Sequence, residues 1–80
     1  MTISRKQVRE WLDANRILYS TSGYSIFPAL SQYYFRFDQQ ENLRCYTVKP
    51  VKKEHSKDIE ARILTQCLLW GIEFREPLRA

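Results

Sequence analysis

The sequence predicts an α+β domain, a small antiparallel sheet of about three strands with two helices packed on one face, in the order α-β-β-β-α. Three observations predict it. From Gln32 to Val48 the chain reads QYYFRFDQQENLRCYTV, with aromatic and basic residues alternating at a period of two on either side of the polar run Asp38–Asn42. That is the pattern of two antiparallel strands joined by a hairpin loop. On each side of it lies a stretch with helical periodicity and capping residues, Thr2–Asn15 and Ser56–Gly71. Eighty residues make one small domain, and at that size a single core supplies only about 3–5 kcal/mol of net stability, so both helices must bury their apolar sides on the sheet.

The first helix opens with Ser4 placed to cap free amides, Gln7 to bond back, and Ile3 to staple onto Val8. Val8, Trp11 and Leu12 mark its inward stripe, and Asn15 is available as a left-handed stop. Arg5, Lys6, Arg9, Glu10, Asp13 and Arg16 lie outside that stripe. Most read as a solvated face with a local Arg9–Asp13 pair, while Arg5 and Arg9, one turn apart, are candidates for a rim contact. Ile17–Phe27 is rich in strand formers and broken at Ser22-Gly23, a bent strand or a short hairpin. Pro28 lacks a backbone donor, so the strand ends there or runs along an edge, and Ala29–Ser31 turns the chain into the central hairpin.

The hairpin's register follows from its loop. With Phe37 and Leu43 as the first cross-strand pair, Arg36 faces Arg44, Phe35 faces Cys45, Tyr34 faces Tyr46 and Tyr33 faces Thr47. Tyr33, Phe35, Phe37, Leu43 and Cys45 then form the core face, and Tyr34, Arg36, Arg44 and Tyr46 the open one. Two arginines directly opposite each other repel, which weakens a sheet unless something negative sits between them. A one-residue slip would exchange the two faces.

Lys49–Lys57, KPVKKEHSK, holds four lysines and the only histidine, His55, offset by Glu54 alone. The second helix follows, with Ser56 as N-cap and Asp58 in its positive first turn. Ile59, Ile63, Leu64, Cys67, Leu68 and Trp70 make a wide apolar stripe, and Gly71 ends the helix with Ile72 folding back onto Cys67. Ile72–Arg75 alternates again and suits an edge strand before Pro77.

A hydrophobic content of 44% with 28% charged residues excludes a disordered chain. No apolar run approaches the roughly 20 residues of a membrane span, and the N-terminus reads as a polar helix start rather than a signal peptide, so the expected compartment is the cytoplasm and no membrane partner is expected. The two cysteines, Cys45 and Cys67, are too few for a disulfide framework and read as reduced core thiols. Catalysis has little to work with. There is no phosphate-binding glycine loop, no metal-ligand spacing and no nucleophile elbow, and Cys45 with His55 is the only nucleophile and base on offer. No catalytic residue, metal or cofactor is expected.

The hairpin YYFRF…LRCYTV and the stretch KKEHSKDIEARIL, about half the chain, resemble in layout the double-stranded-RNA-binding domain and the similar HicA-type toxin fold. The resemblance implies phosphate contacts from lysines at the start of the second helix, which carry over to Lys52, Lys53 and Lys57. Their spacing is one residue longer than that family's motif, and its Gly-Pro-x-His loop is absent. Where the HicA-like fold has a histidine after a glycine, this chain reads Gly23-Tyr24-Ser25, so a ribonuclease activity is not implied.

A net charge of +4 favours anionic partners. The functional expectation is a non-catalytic module that binds nucleic acid, DNA or RNA, or another polyanion. Arg36 and Arg44 would neutralise charge, Tyr34 and Tyr46 would stack or pack, and Lys49, Lys52, Lys53 and Lys57 would hold a backbone. The alternative is a protein-binding adaptor or inhibitor, an antitoxin or a phage-type host-interaction protein, that sets the same tyrosine and arginine face on an acidic protein surface. Pairing of two copies through the Ile72–Arg75 edge is a third expectation.

Overall fold

The computed structural model describes residues 3–47 and 54–75. Helix α1 spans Arg5–Ala14, and its start is built as the sequence predicts. Gln7 N–H donates to Ser4 Oγ (3.2 Å) and Ser4 N–H donates to Gln7 Oε1 (2.8 Å), while Ile3 and Val8 are both buried in the core. The end of α1 differs. Asn15 keeps φ −92° and donates its side-chain amide to Trp11 O (2.9 Å), and Arg16 takes the left-handed conformation at φ 57°. Ile17 N–H to Leu12 O (2.9 Å) and Arg16 N–H to Asp13 O (3.0 Å) complete a Schellman motif. The Arg9–Asp13 pair does not form; the ion pair on this helix is Lys6–Glu10 at 3.8 Å.

The sheet has five strands, not three, and it is mixed. The stretch after α1 is a hairpin, β1 (Tyr19–Ser22) and β2 (Ser25–Pro28), turning at Gly23-Tyr24 with Gly23 at φ 57°. Strands β3 (Tyr33–Phe37) and β4 (Leu43–Thr47) pair with Phe37 opposite Leu43, Arg36 opposite Arg44, Phe35 opposite Cys45, Tyr34 opposite Tyr46 and Tyr33 opposite Thr47, the register expected from the loop length. Helix α2 (Lys57–Trp70) then crosses to β5 (Glu73–Arg75), which lies parallel to β4 at the edge. Parallel neighbours cannot be joined by a tight turn and need a crossover connection, which α2 supplies. The order α-β-β-β-α therefore becomes α-β-β-β-β-α-β, with strands arranged β1-β2-β3-β4-β5. The resemblance noted above carries over only as an α+β layout of two helices and a small sheet.

Both helices pack on one face. Val8 and Leu12 of α1 and Ile63 and Cys67 of α2 share a buried cluster with Ile26, Phe35, Phe37 and Cys45 of the sheet. Trp11 and Trp70 join the helices edge to face, 5.8 Å between centroids. The apolar stripe of α2 is narrower than its sequence suggests. Ile63 and Cys67 are buried, whereas Leu68 and Leu69 are 78% and 74% exposed and Leu64 lies at the margin. Ser56 caps α2 by accepting from Ile59 N–H (3.2 Å), and Gly71 at φ 70° ends it, with Ile72 N–H bonded to Cys67 O (2.9 Å). No helix among the described residues is long and apolar enough to cross a membrane.

Candidate anion-binding face

With both helices on one side, alternation along the strands decides what the other side shows. The paired residues align into two rows across the sheet. One runs Phe27, Tyr34, Tyr46; the other runs Ser25, Arg36, Arg44, Glu73. All four hairpin residues singled out by the sequence, Tyr34, Arg36, Arg44 and Tyr46, thus share the face away from the helices.

The aromatic row is a ladder. Phe27 and Tyr34 stack at 4.9 Å between centroids and 18° between planes, and Tyr34 and Tyr46 at 5.5 Å and 22°. These separations approach the strand spacing of about 4.8 Å, so the rings stand on edge, each facing its neighbour across the strands. Tyr34 is the middle plate, both of its faces covered. Tyr34 and Tyr46 stack on each other, with Phe27 as a third member. Burial pushes the Tyr34 phenol above its ordinary pKa, and the Arg36 guanidinium offsets part of that rise. The phenol therefore stays protonated near neutrality and keeps its O–H as a donor.

The two opposed arginines are not equivalent. Asp38 Oδ2 accepts from Arg44 Nη1 at 2.9 Å, and Glu73 Oε2 lies 3.6 Å from Arg44 Nε. Arg44 is thus the arginine that has something negative beside it. Asp38 is fixed by the loop it opens, where its Oδ1 accepts from the N–H groups of Gln40 and Asn42, both at 2.9 Å. Those hydrogen bonds, that of the Asn42 backbone first, hold its carboxyl below the usual range, and Arg44 adds to the effect. Arg36 is exposed and forms no salt bridge or side-chain hydrogen bond among the described residues. A groove of about 390 Å³ between the two arginines is lined by Tyr24, Arg36, Asp38, Asn42, Arg44 and Tyr46.

The lysines do not gather at this face. Lys49, Lys52 and Lys53 lie outside the described residues. Lys57 is the first residue of α2, exposed on the helical layer. That end of α2 is tied to the start of β3, by Ser56 N–H to Leu30 O (2.7 Å) and Gln32 N–H to Glu60 Oε2 (2.8 Å). It therefore sits at the opposite end of the β3–β4 hairpin from Arg36 and Arg44. Cys45 is fully buried, its thiol pushed far above the ordinary value by a hydrogen bond with Cys67, by burial and by the proximity of the Cys67 sulfur. His55 Nδ1 lies 3.4 Å from Glu60 Oε1. Cys45 and His55 therefore each have another partner, Cys67 and Glu60.

Sequence reasoning did not find Phe27 as a member of the ladder or Tyr24 as a lining residue. Both lie in the stretch whose sequence fits a bent strand or a short hairpin, and the period-two spacing of Ser25 and Phe27 is the available signal. No protein-family model, no curated protein and no solved structure matches the chain.

Proposed function

We propose that the chain is a non-catalytic binding module that takes a polyanion, nucleic acid in the first place, on the sheet face opposite the helices. The observation that supports this is Arg36, an exposed guanidinium without an acid partner among the described residues, on the same sheet face as Tyr34 and Tyr46. A guanidinium offers forked donors to phosphate oxygens, and tyrosine hydroxyls can donate alongside it. Arg44 keeps the groove's shape through Asp38 and adds charge at its rim.

The test is fluorescence anisotropy of labelled duplex DNA, duplex RNA and single strands at two salt concentrations. Binding should weaken steeply with salt. Arg36→Glu should lower affinity at least about tenfold while the melting temperature holds or rises, because the change relieves a like-charge cross-strand pair. Absence of binding at low salt would reject the nucleic-acid reading. A second reading, an acidic protein surface on the same face, is favoured by the ladder itself, since Tyr34 has no ring face left to offer a base. In that case Arg36→Glu would abolish capture of the protein partner and nucleic acid would not compete.

A further inference from the structure

The groove at Arg36 continues past the end of the sheet. Tyr24, Phe37 and Asp38 line both that groove and a second one of about 300 Å³, whose other wall includes Arg5 and Arg9 of α1. The same two arginines also line a third groove, about 210 Å³, with Thr21, Gly23 and Ser25. Neither Arg5 nor Arg9 forms an ion pair among the described residues. Arg5 is nevertheless held in position: its Nη1 lies 3.5 Å from Gly23 O, and its guanidinium stands 5.5 Å over the Tyr24 ring. Tyr24 is 62% exposed, and among the described residues Arg5 is its only ring contact. One face of this ring is therefore open, as neither face of Tyr34 is.

The charge balance of these joined grooves is positive. Four arginines line them against two acids, Asp38 and Glu41, and Asp38 is paired with Arg44. Arg5 also occupies the first turn of α1, which holds no acidic residue. Cations there oppose the helix dipole and cost stability, a local conflict of the kind that functional sites retain.

We propose that the grooves form one track, from Arg36 past Tyr24 to Arg5 and Arg9, that takes a single strand of nucleic acid. Phosphates meet Arg36, Arg5 and Arg9, none of which has an acid partner among the described residues, and a base stacks on the open face of Tyr24. The inference rests on the polyanion reading above and narrows it. Arg36 is on the sheet face away from the helices and α1 is on the other, so the track turns around the sheet's end. Duplex DNA, with a persistence length of about 150 base pairs, resists such a turn, whereas a single strand follows it and leaves its bases free to stack.

Anisotropy titrations with labelled oligothymidine, oligouridine and a duplex of equal length test this across a series of salt concentrations. The double substitution Arg5→Gln with Arg9→Gln should weaken single-strand binding at least about tenfold and reduce the salt slope by about 1.4, near 0.7 per lost phosphate contact. Tyr24→Ala should weaken it by about fivefold to a hundredfold with the slope unchanged. Lys6→Gln, on the same helix but outside the grooves, should change neither. Glutamine is a good helix former, and circular dichroism with a thermal melt checks that each variant folds; Tyr24→Ala leaves the sequence of α1 unchanged. If Arg36→Glu abolishes binding while the Arg5/Arg9 variant keeps wild-type affinity and slope, the open face stands and the track falls. If the duplex binds as tightly as the single strands, the single-strand assignment is overturned. If wild type binds nothing at low salt, the polyanion reading fails and the track with it.

Discussion

At the scale of single residues, the two helix ends make a natural comparison. Both close with a Schellman motif, but α2 places Gly71 at the left-handed position (φ 70°) and α1 places Arg16 there (φ 57°). A side chain in that region costs about 1 kcal/mol or more relative to glycine. Arg16→Gly should therefore stabilise the domain by about 1 kcal/mol, less the entropy glycine adds to the unfolded chain, and raise the melting temperature by up to about 4–8 °C. A melt showing a lower temperature would mean that Arg16 makes contacts outweighing its backbone strain. Asn15 was the expected occupant because asparagine tolerates the left-handed region. The chain instead uses its side-chain amide on Trp11 O, a choice that depends on a geometry one residue wide.

At the scale of elements, the β3–β4 hairpin owes its register to Asp38, whose carboxylate organises the loop and holds Arg44. Its folded-state pKa is depressed, so over the acidic range the unfolded chain binds the proton first. The stability it contributes is complete above the ordinary carboxylate range and is lost as pH falls through the folded value. Wild type and Asp38→Asn should therefore differ in melting temperature near neutrality, and the difference should vanish as both are melted at progressively lower pH. A gap that persists unchanged to acid would assign the loop's stability to neutral hydrogen bonding. Elements also set the limits of legibility. The central hairpin and the capping of both helices were readable because each depends on residues within a few positions of one another. An edge strand near Ile72–Arg75 was legible too, but its parallel pairing with β4 was not, since that pairing depends on where α2 lies. The division of α2's apolar residues into buried Ile63 and Cys67 and exposed Leu68 and Leu69 had the same cause.

At the scale of the whole molecule, the core joins both helices to the central strands through Val8, Leu12, Phe35, Cys45, Ile63 and Cys67, all fully buried. The two thiols touch across the β4–α2 interface, and that contact together with burial keeps Cys45 protonated. A thiolate-specific reagent such as a disulfide chromogen should label neither cysteine in the native protein except through global unfolding, so the labelling rate should follow stability across a urea series. Fast stoichiometric labelling without denaturant would show that α2 lifts from the sheet by itself.

The sequence by itself determined the local features: the hairpin register, the capping box at Ser4, the glycine stop at Gly71, and the shared face of Tyr34, Arg36, Arg44 and Tyr46. Side-chain alternation in strands and hydrogen bonding at helix ends are short-range, and a single chain displays them. Only the packed chain settles that Arg44 is held by Asp38 and Glu73 while Arg36 has no acid partner among the described residues, that Phe27 completes the aromatic ladder, and that Arg5 and Arg9 border the groove beside Tyr24. Those relations join residues far apart in sequence. They depend on the order of strands in the sheet and the side on which the helices pack, which are set by burying the common core.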